Sequence, residues 1–320
     1  MAVPDHDASP QGHYRSIVRR IDHIVIKTDD PYALFSLFAN TLQFPVVWGV
    51  REYDFFVSCG VFAGNVYLEA VRFGPTQNVS STKPAKAIFW GVAFEPHCLH
   101  DSLDELAKRN IPHSPPFYSI GVRIDGEEGL AWTNVTLGKL LDDGGKTVYL
   151  GRRWGGNSLV NITLGKLSSK LLAIPLVSRV IAKMMGDTMI YICEYTHDNA
   201  KLMDLAKNDL TSRGGGEIGL DYVKEVILGV TDFENRVTSW ENLLKPTEPS
   251  SQATWRLENG PFIRLIPNQQ NAINALVLKV HSLAKAKAYL TKEGMCGEVT
   301  EDHVCIAKSK IQGLDIRLVE

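Results

Sequence analysis

Two polar side chains occupy segments whose other residues predict buried strands. His23 lies within Ile21–Lys27, a run of mainly β-branched residues, and Glu69 lies within Val66–Val71. Imidazole and carboxylate groups are common ligands of divalent metal ions, and burying a polar group costs free energy unless it has a partner. His23 and Glu69 are therefore the first candidates for chemistry in this sequence.

Each of these side chains also has a simpler explanation. A histidine in a buried strand is often a core residue satisfied by hydrogen bonds, and a carboxylate in a strand often faces solvent. Neither residue establishes a function alone, so the case for chemistry rests on the elements that would position the two side chains together.

The residues around His23 and Glu69 predict one strand, one helix and three further strands. The first strand is Ile21–Lys27, and Pro31–Leu42 has its large apolar residues on one side, as an amphipathic helix does. The three strands that follow are predicted at Val46–Val50, Phe55–Phe62 and Asn65–Phe73.

The same order of elements recurs three more times, which predicts an α+β chain of four βαβββ units. The later units begin with strands at Ala87–Phe94, Lys224–Val230 and Ala275–Val280. Their helices are predicted at Leu99–Arg109, Phe233–Leu244 and Leu283–Glu293. Their last strands are predicted at Met189–Tyr195, Pro261–Ile266 and Leu314–Val319.

Length and glycine content predict two domains after a short tail. The chain has 320 residues, which is comfortable for two domains, and three consecutive glycines at Gly214–Gly216 favour an irregular turn or hinge. We expect a flexible N-terminal tail at 1–16, one domain at 17–213 and a second domain at 217–320.

The second unit carries an insertion at about 142–188. Just before it, the segment Asn134–Leu140 recurs almost unchanged as Asn161–Leu167, which suggests a local duplication of a strand. The apolar stretch Ser168–Met185 then predicts a helix that either covers a pocket or docks permanently on the sheet.

Composition excludes several classes of partner. The net charge of −2 gives no basic field for nucleic acid or for an anionic membrane surface, and no apolar run is long enough for a membrane helix. The five cysteines are scattered and lack a CxxC pair, which fits a reducing compartment and predicts a cytoplasmic protein. The sequence has no GxGxxG, Walker, GxSxG or HExxH motif.

The four units, with His23 in a first strand and Glu69 in a last strand, resemble the vicinal oxygen chelate superfamily. This group includes glyoxalases, bleomycin-resistance proteins and extradiol dioxygenases. The resemblance implies that the units pair into two glyoxalase-like domains with curled mixed sheets. It also implies a pocket in each domain, with metal ligands from the first and last strands of paired units.

The resemblance can be carried over position by position. In the N-terminal half it implies a metal site made by His23, Glu69 and Glu194, with Glu69 and Glu194 also catalytic. The place of His23 in the second unit falls at Phe89 or Trp90. The corresponding places in the C-terminal half fall at Glu225, Arg264, Ala275 and Arg317.

Arginine has no acceptor atom and cannot bind a metal, so the C-terminal half is expected to hold a Glu225–Arg264 pair and to be a degenerate copy. In the N-terminal half, one imidazole and two carboxylates would suit Fe, Mn, Ni, Zn or Mg without selecting among them. The implied ion would act as a Lewis acid on a small substrate with adjacent oxygens.

Lyase or isomerase chemistry is favoured, and two alternatives stay open. One is an extradiol-type dioxygenase, although this chain lacks the second histidine that such enzymes use. The other is a non-catalytic protein that binds or sequesters a small molecule. Four units in one chain can close both pockets internally, so a monomer or a homodimer is expected.

Overall fold

A computed structural model describes residues 15–52, 56–73, 84–122, 128–138, 140–141 and 188–320 of the protein. Most of the expected tail, the second copy of the repeat at 161–167 and the helix expected at 168–185 lie outside the described residues. The predictions made for those segments stay predictions.

Strands of the described parts form two mixed sheets. The first has eight strands in the order β2-β3-β4-β1-β5-β8-β7-β6, and the second has seven in the order β10-β11-β9-β12-β15-β14-β13. The strands of the first sheet are β1 Arg20–Thr28, β2 Val46–Glu52, β3 Phe56–Phe62, β4 Tyr67–Phe73, β5 Ala87–Glu95, β6 Phe117–Val122, β7 Glu128–Leu137 and β8 Met189–Tyr195. Those of the second are β9 Leu220–Val230, β10 Thr254–Arg256, β11 Phe262–Pro267, β12 Ala272–Val280, β13 Cys296–Val299, β14 Val304–Ile306 and β15 Ile316–Val319.

The described helices connect these strands. They are α1 Pro31–Ser36, which continues as a π-helical turn Leu37–Thr41, α2 Leu99–Lys108, α3 Asn199–Ser212, α4 Phe233–Leu244 and α5 Leu283–Lys292. Helix α1 begins where the sequence favours it, because the Asp30 side chain accepts a hydrogen bond from the Ala33 N–H and Pro31 occupies the first turn. None of the described helices has the length and apolar content that crossing a membrane requires.

At the centre of each sheet, the first strands of two βαβββ units pair in antiparallel fashion. Strand β1 pairs with β5 in antiparallel fashion and with β4 in parallel fashion. Strand β9 pairs with β12 and β11 in the same two ways. This arrangement confirms the α+β class and the pairing of βαβββ units into two curled sheets.

The two sheets share one hydrophobic core. Trp240 of α4 is fully buried and its ring stands edge-on to Phe94 of β5, with 6.2 Å between centroids. The Trp240 indole N–H also donates to the Leu140 carbonyl at 3.2 Å. The division into domains at 17–213 and 217–320 stays a prediction.

Helix α3 separates the two sheets along the chain and has no counterpart in the sequence analysis. It ends at Ser212, and Gly214, Gly215 and Gly216 follow with φ values of 62°, 82° and 67°. Only glycine adopts this left-handed region at no steric cost, which is why three glycines occur in succession here. The irregular turn predicted at these residues is confirmed.

Candidate functional site

A bulge in β1 brings two neighbouring side chains together. Residues of a regular strand alternate between faces, but the pairing of β1 with β5 skips Asp22 between Ile21 and His23. The Nδ1 atom of His23 consequently lies 2.5 Å from the Asp22 Oδ2 atom, and both side chains are buried. An ionised carboxylate only accepts, so Nδ1 carries the proton of this bond.

The Asp22 carboxylate is held by several donors at once. Besides His23, the Tyr195 hydroxyl donates to Oδ2 at 2.9 Å and the Asn199 Nδ2 donates to Oδ1 at 2.5 Å. Asn199 is itself fixed, because its Oδ1 accepts from the Tyr67 hydroxyl at 3.1 Å. Buried carboxylates are stable when donors satisfy them, so this network keeps Asp22 in place behind the imidazole. The sequence analysis missed Asp22, whose only signal is an acid directly beside a histidine in a buried strand.

The other edge of the imidazole faces two further polar groups. The Tyr191 hydroxyl lies 2.5 Å from His23 Nε2, and the Glu69 Oε2 atom lies 3.5 Å from the same nitrogen. The Glu69 Oε1 atom accepts from the Ser58 hydroxyl at 2.6 Å, and that hydroxyl accepts from the Trp48 indole N–H at 3.0 Å. The structure therefore places Glu69 beside His23 and orients it from behind.

The surroundings raise the pKa of both His23 and Tyr191, for different reasons. Burial alone would lower the pKa of His23, but the hydrogen bond and charge of Asp22, with the charge of Glu69, outweigh burial and raise this pKa above its ordinary value. Burial, with the charge of Glu69, raises the pKa of the Tyr191 phenol well above its ordinary value. Tyr191 accordingly stays a neutral phenol, while His23 is prone to carry a proton.

Glu194 is not brought to this site. Its Oε1 atom accepts a hydrogen bond from the Leu99 backbone N–H at 2.8 Å, at the start of α2. Side chains alternate along β8, and Tyr191 and Cys193 belong to the cluster around His23 whereas Ile192 belongs to the main core. Of the three ligands expected from the resemblance, His23 and Glu69 lie together and Glu194 lies on the opposite face.

Strand register identifies the true counterparts of His23 and Glu69 in the second unit. Strand β1 runs antiparallel to β5, with His23 opposite Ala93 and Val25 opposite Gly91. A local two-fold axis midway between these two pairs therefore relates His23 to Gly91. The bulge at Trp90 then corresponds to the bulge at Asp22. The sequence pattern predicts this counterpart close to Phe89 or Trp90, and the register places it one residue further on, at Gly91, because a bulge adds a residue that no periodic pattern reveals.

The last strands complete the comparison of the first two units. Glu69 of β4 pairs with Val25 of β1. The two-fold axis relates Val25 to Ala93, and Tyr191 of β8 pairs with Ala93. Tyr191, not Glu194, therefore stands where the first unit has Glu69. The four equivalent places of the N-terminal half hold His23, Glu69, Gly91 and Tyr191.

The C-terminal half repeats this register with different side chains. Glu225 pairs with Val277, and Ala275 pairs with Ile227, across the central strands. The last strands place Arg264 opposite Ile227 and Arg317 opposite Val277. The four places assigned from the sequence are Glu225, Arg264, Ala275 and Arg317, and all are confirmed.

The expected ion pair of the C-terminal half is also confirmed. Arg264 Nη2 donates to Glu225 Oε2 at 2.9 Å, and Arg264 Nε lies 2.8 Å from Oε1. The pair occupies the places that His23 and Glu69 hold in the N-terminal half.

Apolar and aromatic side chains surround the N-terminal site. They share the inner face of the curled sheet with His23 and Glu69. This cluster consists of Val25, Val71, Trp90, Ala93, Tyr191 and Cys193, with Phe73, Trp132, Met189 and Tyr195 packed against it. The Lys27 ammonium lies 5.9 Å from the centre of the Trp90 ring. An apolar face with a few convergent polar groups is the usual make-up of a small-molecule site.

Solved structures share this architecture over nearly the whole chain. A hypothetical protein from Staphylococcus aureus matches with a TM-score of 0.53 at 9% identity, over 94% of this chain and 98% of the other. The 2,3-dioxygenase LapB from Pseudomonas sp. KL28 matches with 0.52 at 7%, over 95% and 92%. A single-residue variant of homoprotocatechuate 2,3-dioxygenase from B. fuscum matches with 0.53 at 9%, over 97% and 73%.

The chain thus shares the fold of these dioxygenases, as the resemblance to the vicinal oxygen chelate superfamily predicts. Neither a scan against protein-family models nor a search of curated proteins gives a match. At such low identity the structural likeness establishes the fold and not the reaction.

The resemblance implies a divalent metal ion, and the structure brings together two of the three donors expected to hold it, His23 and Glu69. Catalytic metal sites commonly use three protein ligands, and the equivalent places here supply one imidazole, one carboxylate and the phenol of Tyr191. The phenol stays protonated and occupies His23 Nε2, the nitrogen that would have to face the ion. Gly91 offers no side chain. Among the described residues, no group of three His, Cys, Asp or Glu side chains is placed to hold a metal.

Proposed function

We propose that the N-terminal half binds a small organic molecule on the inner face of its sheet and moves a proton within it, as a lyase or an isomerase does. The observation that carries this proposal is the pair formed by the buried His23 and the half-buried Glu69, with 3.5 Å between Nε2 and Oε2, beside an aromatic cluster. Groups at this separation can reach two atoms of one bound molecule.

Each residue has a role that follows from its environment. Because its pKa is raised, His23 holds a proton more readily than an ordinary histidine and can donate it from Nε2 to a substrate oxygen. Glu69 is 19% exposed and can accept a proton from a neighbouring atom of the substrate. Asp22 touches no substrate in this scheme; it fixes the imidazole and favours its protonated form.

Tyr191 and the aromatic cluster have binding roles. The neutral Tyr191 hydroxyl can turn from His23 to hydrogen-bond a substrate oxygen, and the surrounding rings exclude water from the reacting atoms. A small molecule on this fold has precedent, since homoprotocatechuate 2,3-dioxygenase from Brevibacterium fuscum was solved in a complex with 3,4-dihydroxyphenylacetate. That ligand belongs to the dioxygenase.

A metal-dependent enzyme with His23 and Glu69 as ligands is the second candidate. One observation favours it: metal-binding histidines commonly donate their other ring N–H to a carboxylate, as His23 does to Asp22. The two candidates differ in whether proton transfer survives removal of metal ions.

The test follows solvent deuterium entering candidate substrates. Hydroxyketones, 1,2-dicarbonyl compounds and catechols are incubated in D₂O with chelator-treated protein, and loss of C–H signals is followed by proton NMR. We expect exchange by the wild type, loss of exchange in Glu69→Gln, and no change in the control Glu194→Gln, whose carboxylate lies on the opposite face.

Other outcomes point elsewhere. Exchange that appears only after a divalent ion is restored would support the metal-dependent candidate, and oxygen consumption with Fe²⁺ would support a dioxygenase. Binding without exchange, unaffected by Glu69→Gln, would leave a sequestering protein.

A further inference from the structure

A second pocket lies on the inner face of the C-terminal sheet, apart from the site described above. Its volume is about 230 Å³, and its lining consists of Lys224, Glu225, Ile227, Phe262, Arg264, Val277, Asp302, His303, Arg317 and Val319. By strand register, it occupies the place in this half that the His23–Glu69 pair occupies in the other.

The floor of the pocket is apolar. Ile227, Ala275 and Val277 are buried side by side on the central strands, and Ile266 and Val319 pack against them. A ligand with a hydrocarbon body would cover these side chains and remove them from water.

The polar groups around this floor are mostly cationic. Lys224, Arg264 and Arg317 carry three positive charges, against the two carboxylates of Glu225 and Asp302, so the lining has a net charge of +1 with His303 neutral. Such a balance favours a ligand with one negative charge.

Both guanidinium groups are held in place by a carboxylate on one edge. Arg264 pairs with Glu225, and Arg317 Nε and Nη2 lie 3.0 and 3.2 Å from the two Asp315 carboxylate oxygens. Among the residues that the structure describes, none accepts a hydrogen bond from the Nη1 atom of either arginine, and the two side chains are 41% and 36% exposed. Arginines fixed in this way lose little freedom on binding a carboxylate.

We propose that this pocket binds a small organic monoanion, a carboxylate with an apolar body. The carboxylate would accept hydrogen bonds from Arg264 and Arg317, with Lys224 at the rim, and the body would lie on Ile227 and Val277. The half that lost its metal-ligand chemistry would thus keep a ligand site of another kind, independent of the reaction proposed for His23 and Glu69.

Calorimetric titration of the full chain with octanoate tests the proposal, and octanamide serves as the uncharged probe of the same shape. We expect binding of octanoate and about tenfold weaker binding of octanamide, because a charge-assisted hydrogen bond is lost. Arg317→Gln and Lys224→Gln should each weaken octanoate binding several-fold. Lys224 is exposed, so its substitution leaves the fold intact even if Arg317→Gln does not.

Two controls locate the binding. Arg213, directly after α3, makes two hydrogen bonds to an aspartate of that helix, away from the pocket. Arg213→Gln breaks this similar pair and should leave octanoate affinity unchanged. His23→Gln should also leave it unchanged. Absence of octanoate binding, equal affinity for octanamide, or an affinity that ignores both Arg317→Gln and Lys224→Gln would overturn the proposal.

Discussion

Asp22 and His23 are neighbours in the chain and are nonetheless hydrogen-bonded through their side chains, with 2.5 Å between Oδ2 and Nδ1. A regular strand would point them to opposite faces of the sheet. The bulge that removes this alternation builds an acid–imidazole pair from two consecutive residues, and it aims the other edge of the imidazole at Tyr191 and Glu69.

Replacing Asp22 with asparagine should lower the pKa of His23. The substitution removes the negative charge and the strongest acceptor of the imidazole, while burial, which lowers the pKa, remains. An NMR titration of the His23 ring would measure the shift, with Asp198→Asn, at the start of α3, as the control. An unchanged His23 pKa in Asp22→Asn would show that Asp22 does not govern its protonation.

Stability should depend on pH through His23. Its folded-state pKa is raised above the ordinary value of 6.5, so protonation favours the folded state. This contribution is fully present below about pH 6.5 and is lost as the pH rises through the folded-state pKa. Urea unfolding of wild type and His23→Gln between about pH 5.5 and 9 measures it. The difference in unfolding free energy between the two proteins should shrink as the pH rises, and a constant difference would contradict this account.

Gly60→Ala should disturb the support of Glu69. A Cβ at Gly60 would lie 2.5 Å from the Trp48 ring, so the indole that donates to Ser58 would have to move. We expect a loss of about 1–3 kcal/mol in unfolding free energy from overpacking, and a changed tryptophan emission spectrum. Gly49→Ala is the matched control in the same region, since its Cβ would meet nothing within 4 Å. Equal stability of the two variants would contradict the packing described here.

Glu194→Ala should weaken α2 without affecting the site. Its carboxylate accepts the Leu99 N–H at the start of the helix, and losing such a cap costs about 1 kcal/mol. Chemical unfolding measures the stability, and elemental analysis of the same samples measures bound metal. If the wild type holds a divalent ion that Glu194→Ala loses, the ligand set expected from the resemblance would be restored and the placement of Glu194 would be wrong.

Periodicity in the sequence located most of the strands and helices, and the family resemblance supplied how the four units pair. Alternating and β-branched runs identify first strands such as Ile21–Lys27, and the apolar side of Phe233–Leu244 identifies a helix whose observed bounds agree with the prediction. Such patterns arise because an element buries one face. The polarity of each residue in the element indicates whether that residue lies on the buried face. In the C-terminal half these patterns also located Glu225 and Arg264 correctly, because equal spacing in units one and three implies equal register.

Only the tertiary structure decided which side chains meet at the site. The bulges at Asp22 and Trp90 each shift the register by one residue, and a one-residue shift exchanges the two faces of a strand. For this reason Asp22 joined the site unforeseen, and Gly91 took the place expected close to Phe89 or Trp90. Tyr191, three residues before Glu194, took its place because β8 pairs with β5 in a register that the sequence of β8 does not fix. A bulge depends on how two strands pair with each other, so the sequence of either strand alone does not predict it. The face that each strand buries can be predicted, because it follows from the alternation of apolar and polar residues in that strand.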